Sequence, residues 1–348
     1  MQKVLNNGRM AEEIQKKKIV FVVNPISGTL GKKAILRQIK KLLDKERFDY
    51  TICPTRRAGH ATEIARQAVA EGAFAVCAVG GDGTVNEVAR SLVHTDTALA
   101  IIPCGSGNGL ARHLHIPMDA TRAIRMLNAH EVQTIDYGQI NDHLFFCTCG
   151  VGFDAFISQR FAESGKRGML TYVENVLQTA LTYHPETYEL EVVNEDAVNE
   201  TYKAVLIACA NASQYGNNAY IAPHASVRDG LLDVVIIEPF SPMEAPRMAF
   251  HLLQGTLDRH SRIKTLRCRR LSIHRKEGAP IHVDGDPMLE AADVEVAIVP
   301  QGLRCICPTE EGVESMKTSL VNVWKEYANN FTMYSKDLWE NNMFRKRN

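Results

Sequence analysis

The sequence shows no charge excess, no apolar run of membrane-spanning length and no framework of paired cysteines. Forty Lys and Arg balance forty Asp and Glu in 348 residues. Proteins that track nucleic-acid phosphates usually carry a clear basic surplus, so a dedicated nucleic-acid binder is not expected. No stretch approaches the roughly 18 apolar residues that a spanning helix needs. The longest runs, such as Ile19 to Val23 and Leu99 to Ile102, have the length of buried strands. Residues 1–17 form a polar arm without the apolar core of a secretory signal, and Met10 is an alternative start. The nine cysteines are odd in number and sit in apolar segments, which points to reduced, buried thiols in a cytoplasmic protein. Composition excludes wholesale disorder: 45% of residues are hydrophobic and 23% charged.

Familiar catalytic and metal motifs are also missing. The cysteine pairs Cys147/Cys149 and Cys305/Cys307 lack Cys-x-x-Cys spacing, and two residues apart in a strand share a face, so core packing is the expected role. There is no His-Glu-x-x-His helix and no Gly-x-Ser-x-Gly elbow. Gly28-Thr-Leu-Gly31-Lys32-Lys33 has neither the spacing nor the hydroxyl residue of a Walker A loop. After Gly105-Ser-Gly107 a dinucleotide fingerprint wants a third Gly where Leu110 stands.

What is present first is alternation. Strand-like runs at 19–23, 49–53, 74–79 and 99–103 are separated by helical spacing at 32–45, 61–70 and 85–93. Strand and helix alternating at this pitch predict βαβ crossovers and a mostly parallel sheet, an α/β half covering 18–131. From Val132 the texture changes to strands at 133–137, 144–149, 188–193, 203–209, 232–238, 266–274 and 294–299, with helices near 170–181 and 243–253. This predicts a second, largely antiparallel domain over 132–302. In 313–348, Val313, Met316, Leu320, Val323, Tyr327, Phe331, Tyr334 and Leu338 step by three or four and predict one amphipathic helix. Packing on its own body, dimer contact and docking on a membrane surface all suit such a stripe.

Three glycine-containing loops follow apolar strands in the α/β half: Asn24-Pro-Ile-Ser-Gly28, Gly80-Gly-Asp-Gly-Thr84 and Gly105-Ser-Gly-Asn108. Open parallel sheets bind ligands at the carboxyl ends of their strands, where such loops lie. Glycine lets backbone N–H groups approach phosphate oxygens, and the following helix N-termini favour negative charge. A phosphate cradle is therefore expected there.

Gly80-Gly81-Asp82-Gly83-Thr84 with Asn86-Glu87 resembles the nucleotide loop shared by diacylglycerol kinases, sphingosine kinases and NAD kinases. Asn24-Pro25-x-Ser27-Gly28 and Pro103-x-Gly105-Ser106-Gly107-Asn108-x-Leu110-Ala111 look like the lipid kinase branch. Arg228-Asp229-Gly230-Leu231-Leu232-Asp233 and Val283-Asp284-Gly285-Asp286-Pro287 do as well. The resemblance runs in order from Ile19 to Pro308. It implies a Rossmann-like nucleotide-binding domain, a C-terminal β-sandwich domain, and a return of the chain near 303–312 to the first domain. By the same resemblance, ATP contacts fall on Asn24, Thr55, Gly81, Asp82, Gly83, Thr84, Val85, Asn86, Glu87 and Ser106. The catalytic base falls on Asp286, where the family usually has Glu, with Asp284 orienting it; Asp82 is the rival, as in sphingosine kinases. A structural Mg²⁺ would be held by the backbone carbonyls of Ser226 and Leu231 and the Asp229 carboxylate. Without the resemblance, Asp229-Gly230 and Asp284-Gly285 read as turns.

The implied activity is an ATP- and Mg²⁺-dependent lipid kinase acting on diacylglycerol or a related lipid, cytoplasmic and peripheral to the membrane carrying its substrate. Gly105-Ser106-Gly107-Asn108 keeps a sphingoid base open as acceptor. NAD kinase is disfavoured by Asn24-Pro25 and by the Asp284 segment. A noncatalytic nucleotide- or lipid-binding regulator is the remaining alternative, suggested by Asp286 in place of Glu. Homo-oligomerisation stays open.

Overall fold

The computed structural model describes residues 15–27, 31–129, 131–163, 183–192 and 198–308. Most of the polar arm, the helix expected at 170–181 and the apolar stripe at 313–338 lie outside the described residues. Strands β1 (Lys17–Val23), β2 (Phe48–Pro54), β3 (Ala75–Gly80) and β4 (Ala98–Pro103) pair in parallel in the order β2-β1-β3-β4. β3 and β4 are buried along their whole length, as their uninterrupted apolar sequences require of strands covered on both faces. Their crossovers are α1 (Lys32–Leu42), α2 (His60–Ala70) and α3 (Asp82–Ala89). α1 buries Ile35 and Ile39 four residues apart, and α2 buries Ala61, Ala65 and Ala68, so each turns one stripe to the sheet. Two further helices, α4 (Gly109–His113) and α5 (Ala120–Ala129), were not visible in the strand alternation.

The second half is antiparallel. β7 (Thr148–Gly152), β10 (Leu206–Ala210), β11 (Leu232–Ile237), β12 (Ile263–Cys268), β14 (Ala279–Val283) and β15 (Asp286–Glu290) form a six-stranded sheet in the order β12-β11-β10-β7-β14-β15. Opposite it, β8 (Glu186–Val192), β9 (Val198–Ala204) and β13 (Arg270–His274) join β16 (Asp293–Ile306), which β5 (Val132–Ile140) also pairs; β6 (His143–Phe145) follows β5. Phe145, Tyr188, Ile207, Val234, Ile273 and Val296 fill the space between these sheets, the core of a β-sandwich. β16 is long enough to serve both halves: it pairs β13 at one end, and at the other Cys305 sits beside Leu99 of β4. Ten strands are thus continuous across the molecule. The outer face of the six-stranded sheet carries α6 (Phe153–Glu163) and α7 (Ala245–Gln254).

The single strand expected at 144–149 is broken. Cys147 packs in the α/β core and Cys149 in the sandwich core, so this pair does not share a face. The cause is a carboxylate: Asp284 draws in the N–H groups of Phe146, Cys147 and Thr148 and turns the chain between β6 and β7. All nine cysteines are free thiols, eight buried and Cys53 half-buried.

His113 ends α4 and is held from the second half: the Ser213 N–H donates to its Nδ1 at 3.1 Å, which fixes the proton on Nε2. Burial, with His115 and Arg228 nearby, pushes its pKa down to about 4. The unfolded chain therefore binds this proton first, so the stability contribution is full above the ordinary histidine range and is lost as pH falls towards 4. We expect up to about 3 kcal/mol to be lost over that window. Urea unfolding of wild type and His113→Gln at neutral and mildly acidic pH checks this; the variant should show the flatter dependence.

Candidate active site

The two glycine loops of the α/β half meet. β3 ends at Gly80, and α3 starts already at Asp82, so Asp82 to Thr84 form its first turn rather than a loop. A Cβ on Gly105 would lie 2.7 Å from the Gly81 Cα, so the loop after β4 touches the one after β3 through bare backbone. Asn108 folds the second loop on itself, its Oδ1 accepting from Gly105 N–H at 3.1 Å and its Nδ2 donating to Gly105 O at 2.6 Å. The Asp82 carboxylate locks the two together, accepting from the N–H groups of Asn108 (2.8 Å) and Gly109 (2.7 Å). Burial raises the Asp82 carboxyl above its ordinary range, opposed by those two donors.

Two more carboxylates reach this edge from the sandwich. Asp284 and Gly285 both have positive φ (50° and 89°), the two-residue turn that joins β14 to β15. The Asp284 carboxylate points inward and accepts from Phe146, Cys147 and Thr148 N–H and from Asn86 Nδ2 at 2.8 Å, the last on α3. Burial raises its pKa and the four donors lower it, with a net rise. Asp286 lies exposed just past the turn, and its Oδ2 would stand 3.9 Å from a Cβ on Gly83 in the first turn of α3. It has no hydrogen-bond partner among the described residues. Desolvation, then the Asp284 charge, raise its carboxyl; Arg90 opposes them.

Residues 18–140 match the diacylglycerol kinase catalytic domain, and residues 147–307 match the YegS C-terminal NAD kinase beta sandwich-like domain. The chain belongs to the diacylglycerol kinase catalytic-domain family. A YegS-like lipid kinase of Pseudomonas aeruginosa strain PAO1 is 28% identical over 304 residues, covering 85% of this chain and 96% of that one. The diacylglycerol kinase of Bacillus subtilis strain 168 is 26% identical over 275 residues, 78% of this chain and 90% of that protein. A diacylglycerol kinase structure from Bacillus anthracis strain Sterne shares the fold with a TM-score of 0.64, at 18% identity, over 84% of this chain and 98% of that one.

The other residues that the family resemblance singles out divide into three groups. Asn24, at the end of β1, donates from Nδ2 to Thr84 Oγ1 (3.1 Å) and so stands with the glycine loops, as does Ser106 at the exposed tip of the second loop. Glu87 faces away: its carboxylate accepts from Gly59 N–H (3.0 Å) and Ala61 N–H (3.1 Å), capping the start of α2. The Val85 side chain is in the core, and Thr55, half-buried after β2, donates its N–H to Val23 O at 2.8 Å.

Ser226, Asp229 and Leu231 form a separate cluster at the start of β11. Asp229 pairs with Arg267, which also reaches Asp233 at 3.3 Å, and Asp233 Oδ2 is buried without a hydrogen-bond partner among the described residues. No group of three or more His, Cys, Asp or Glu side chains suited to a metal occurs among the described residues. A set of one carboxylate and two carbonyls does not require one. The orphaned Asp233 oxygen beside Asp229, and two carboxylates against one guanidinium, fit a hard divalent cation.

Arg90 and Asp136 escaped the reading of the sequence. Arg90 lies four residues after Asn86, one turn further along α3, and both its Nε (3.0 Å) and Nη2 donate to Asn86 Oδ1. That i, i+4 spacing was the available signal. Arg90 turns the Asn86 amide so that Nδ2 faces Asp284, and its charge holds Asp286 down. Removing a cation that favours the carboxylate form raises its pKa. Arg90→Ala should therefore shift the acidic limb of kcat/KM to higher pH, measurable as a pH–rate profile against wild type.

Proposed function

We propose that this chain transfers the γ-phosphoryl group of ATP, with Mg²⁺, to a hydroxyl of diacylglycerol or a related lipid. The observation that carries the reading is the meeting of Asp82, Asp284 and Asp286, from both halves of the chain, at two glycine loops packed backbone to backbone. Phosphoryl transfer depends mainly on positioning and on neutralising charge, with a carboxylate for the acceptor proton. Gly81, Gly83, Thr84 and Ser106 supply N–H and hydroxyl donors for the phosphates, next to the α3 N-terminus. Asn24 and Thr55 are suited to polar contacts on the nucleoside side.

Asp286 is the base. It is exposed and makes no hydrogen bond among the described residues, whereas Asp284 and Asp82 are each engaged by backbone donors. As the acceptor oxygen forms its bond to the γ-phosphorus and the bond to ADP breaks, Asp286 takes the hydroxyl proton. Mg²⁺, when bound, offsets phosphate charge or stiffens the Asp229 cluster, where the Ser226 and Leu231 carbonyls and the Asp229 carboxylate would hold it. No helix among the described residues is long and apolar enough to cross a membrane. A bilayer-borne acceptor thus implies peripheral attachment, from the cytoplasmic side.

The decisive experiment is radiolabelled phosphate transfer from ATP to diacylglycerol, monoacylglycerol, ceramide and sphingoid bases in micelles, with NAD in parallel. Label in a glycerolipid is the expected result. Gly105-Ser106-Gly107-Asn108 favours a sphingoid base as the second reading, and label there would establish it. ATP binding without label in any acceptor would favour the noncatalytic reading, and labelled NADP would overturn both.

A further inference from the structure

The outer face of α7 and the turn before it carry large apolar side chains among basic and polar ones. Met248 and Leu252 turn inward, Met248 joining Leu206, Ala208 and Val235 in a core on the outer side of the six-stranded sheet. On the opposite face Arg247, Phe250 and Gln254 follow one another at i, i+3 and i+7, and Met243 stands in the turn just before the helix. Met243 is 91% exposed, Phe250 61% and Leu253, on the flank, 47%. Single exposed apolar residues are ordinary, but these three are among only five large hydrophobics exposed in the described residues, two on α7 and Met243 in the turn that leads into it.

The segment of chain that carries this helix is basic. Residues 241–270 contain seven Lys and Arg against two Asp and Glu, in a chain whose total charge is zero. Of those two acids, Glu244 already pairs with Arg262 at 3.3 Å. Arg247 on α7 and Arg259, in the 3-10 turn at 257–259 that packs against it, are exposed.

We propose that the outer face of α7 docks on an anionic phospholipid bilayer, with Met243, Phe250 and Leu253 entering the headgroup boundary and the basic residues meeting lipid phosphates. This rests on the lipid-acceptor reading above and names the surface by which the acceptor is reached. Charge decides between occupants. A second copy docking through the same patch would set like charges face to face. Residues 309–348 carry six basic and six acidic residues and offer no complementary excess. An anionic bilayer answers both the apolar and the basic components. The surface is also connected to the active site: Tyr220 N–H donates to Leu252 O at 2.9 Å, and three residues earlier Asn217 N–H donates to Gly107 O at 3.1 Å in the second glycine loop.

The test is sedimentation of the full chain with vesicles of phosphatidylcholine, with and without phosphatidylglycerol. Binding should require the anionic lipid and weaken with salt. The double variant Met243→Glu/Phe250→Glu should lower the partition coefficient about tenfold or more. Arg66→Glu on α2, exposed and far along the chain, should show wild-type binding. Unchanged melting temperature and unchanged turnover of a short-chain, water-soluble acceptor would show that the double variant is intact. Wild-type vesicle binding by the double variant would overturn the proposal. So would a change in its solution mass, which would make the face a subunit contact, or vesicle binding that appears only after residues 309–348 are deleted. If α7 governs vesicle binding yet no lipid is phosphorylated, docking stands and the kinase reading fails. If lipid is phosphorylated and the double variant binds normally, docking alone fails.

Discussion

Asp286→Asn is expected to lower kcat by about two to four powers of ten, the usual worth of a positioned proton acceptor, while ATP affinity and melting temperature stay near wild type. The structural ground is its isolation: the carboxylate is exposed and bonded to nothing among the described residues, so an amide of equal size leaves the fold undisturbed. Asp284→Asn should behave differently. Its two oxygens receive four N–H donors, three from the backbone running from the end of β6 into the first residue of β7. An amide replaces one acceptor by a donor aimed at donors, so activity and melting temperature should fall together. Asp82→Asn belongs between them. It should cost about a hundredfold or more, through the loop proposed to receive phosphate and hence partly through the KM for ATP. The pattern of kcat, KM and melting temperature over the three variants therefore assigns the base. Near-normal turnover in Asp286→Asn with a lost kcat in Asp82→Asn, at unchanged stability, would move the proton to Asp82.

The parallel half was legible because its signals are local. Buried strands such as Ala75–Gly80 and Ala98–Pro103 are short apolar runs ending in glycine or proline, and Ile35 with Ile39 gives α1 its period. The glycine loops could be placed at one edge of the sheet because parallel topology puts all carboxyl ends there. What was not legible depends on contacts distant in sequence. Asn86 and Asp284 are 198 residues apart, and their bond ties α3 to the sandwich. The break between β6 and β7 follows from the same carboxylate, which no local propensity encodes. Glu87 reads as an acidic residue favoured in the first turn of a helix, yet its carboxylate caps a different helix. Short or irregularly patterned elements, α4 and β14 among them, carry too few apolar positions to declare a period.

Asp136→Ala is expected to be the most destabilising of the single substitutions considered, at about 3–5 kcal/mol. The sequence reading passed over this residue as part of an ordinary strand at 133–137. In the structure its side chain is fully buried at 0% exposure. Oδ2 accepts from Gly230 N–H at 2.8 Å and Oδ1 from Gln301 N–H at 2.7 Å. It thereby fastens the Asp229-Gly230 turn and the corner in β16, where register with β5 shifts between Val299 and Leu303. Alanine would leave both donors short of a partner in a site that has lost its charge, and hydrogen bonds to a carboxylate are the stronger kind. Asp136→Asn keeps one acceptor and should lose about half as much. Calorimetry measures this directly, with a fall in melting temperature on the order of 10 °C expected for alanine. The same turn positions Asp229, so under the proposed Mg²⁺ site any stabilisation of the wild type by Mg²⁺ should be far smaller in Asp136→Ala. Equal Mg²⁺-induced shifts in the two proteins would separate the Asp136 anchor from the cation, and equal melting temperatures would show that neither N–H depends on it.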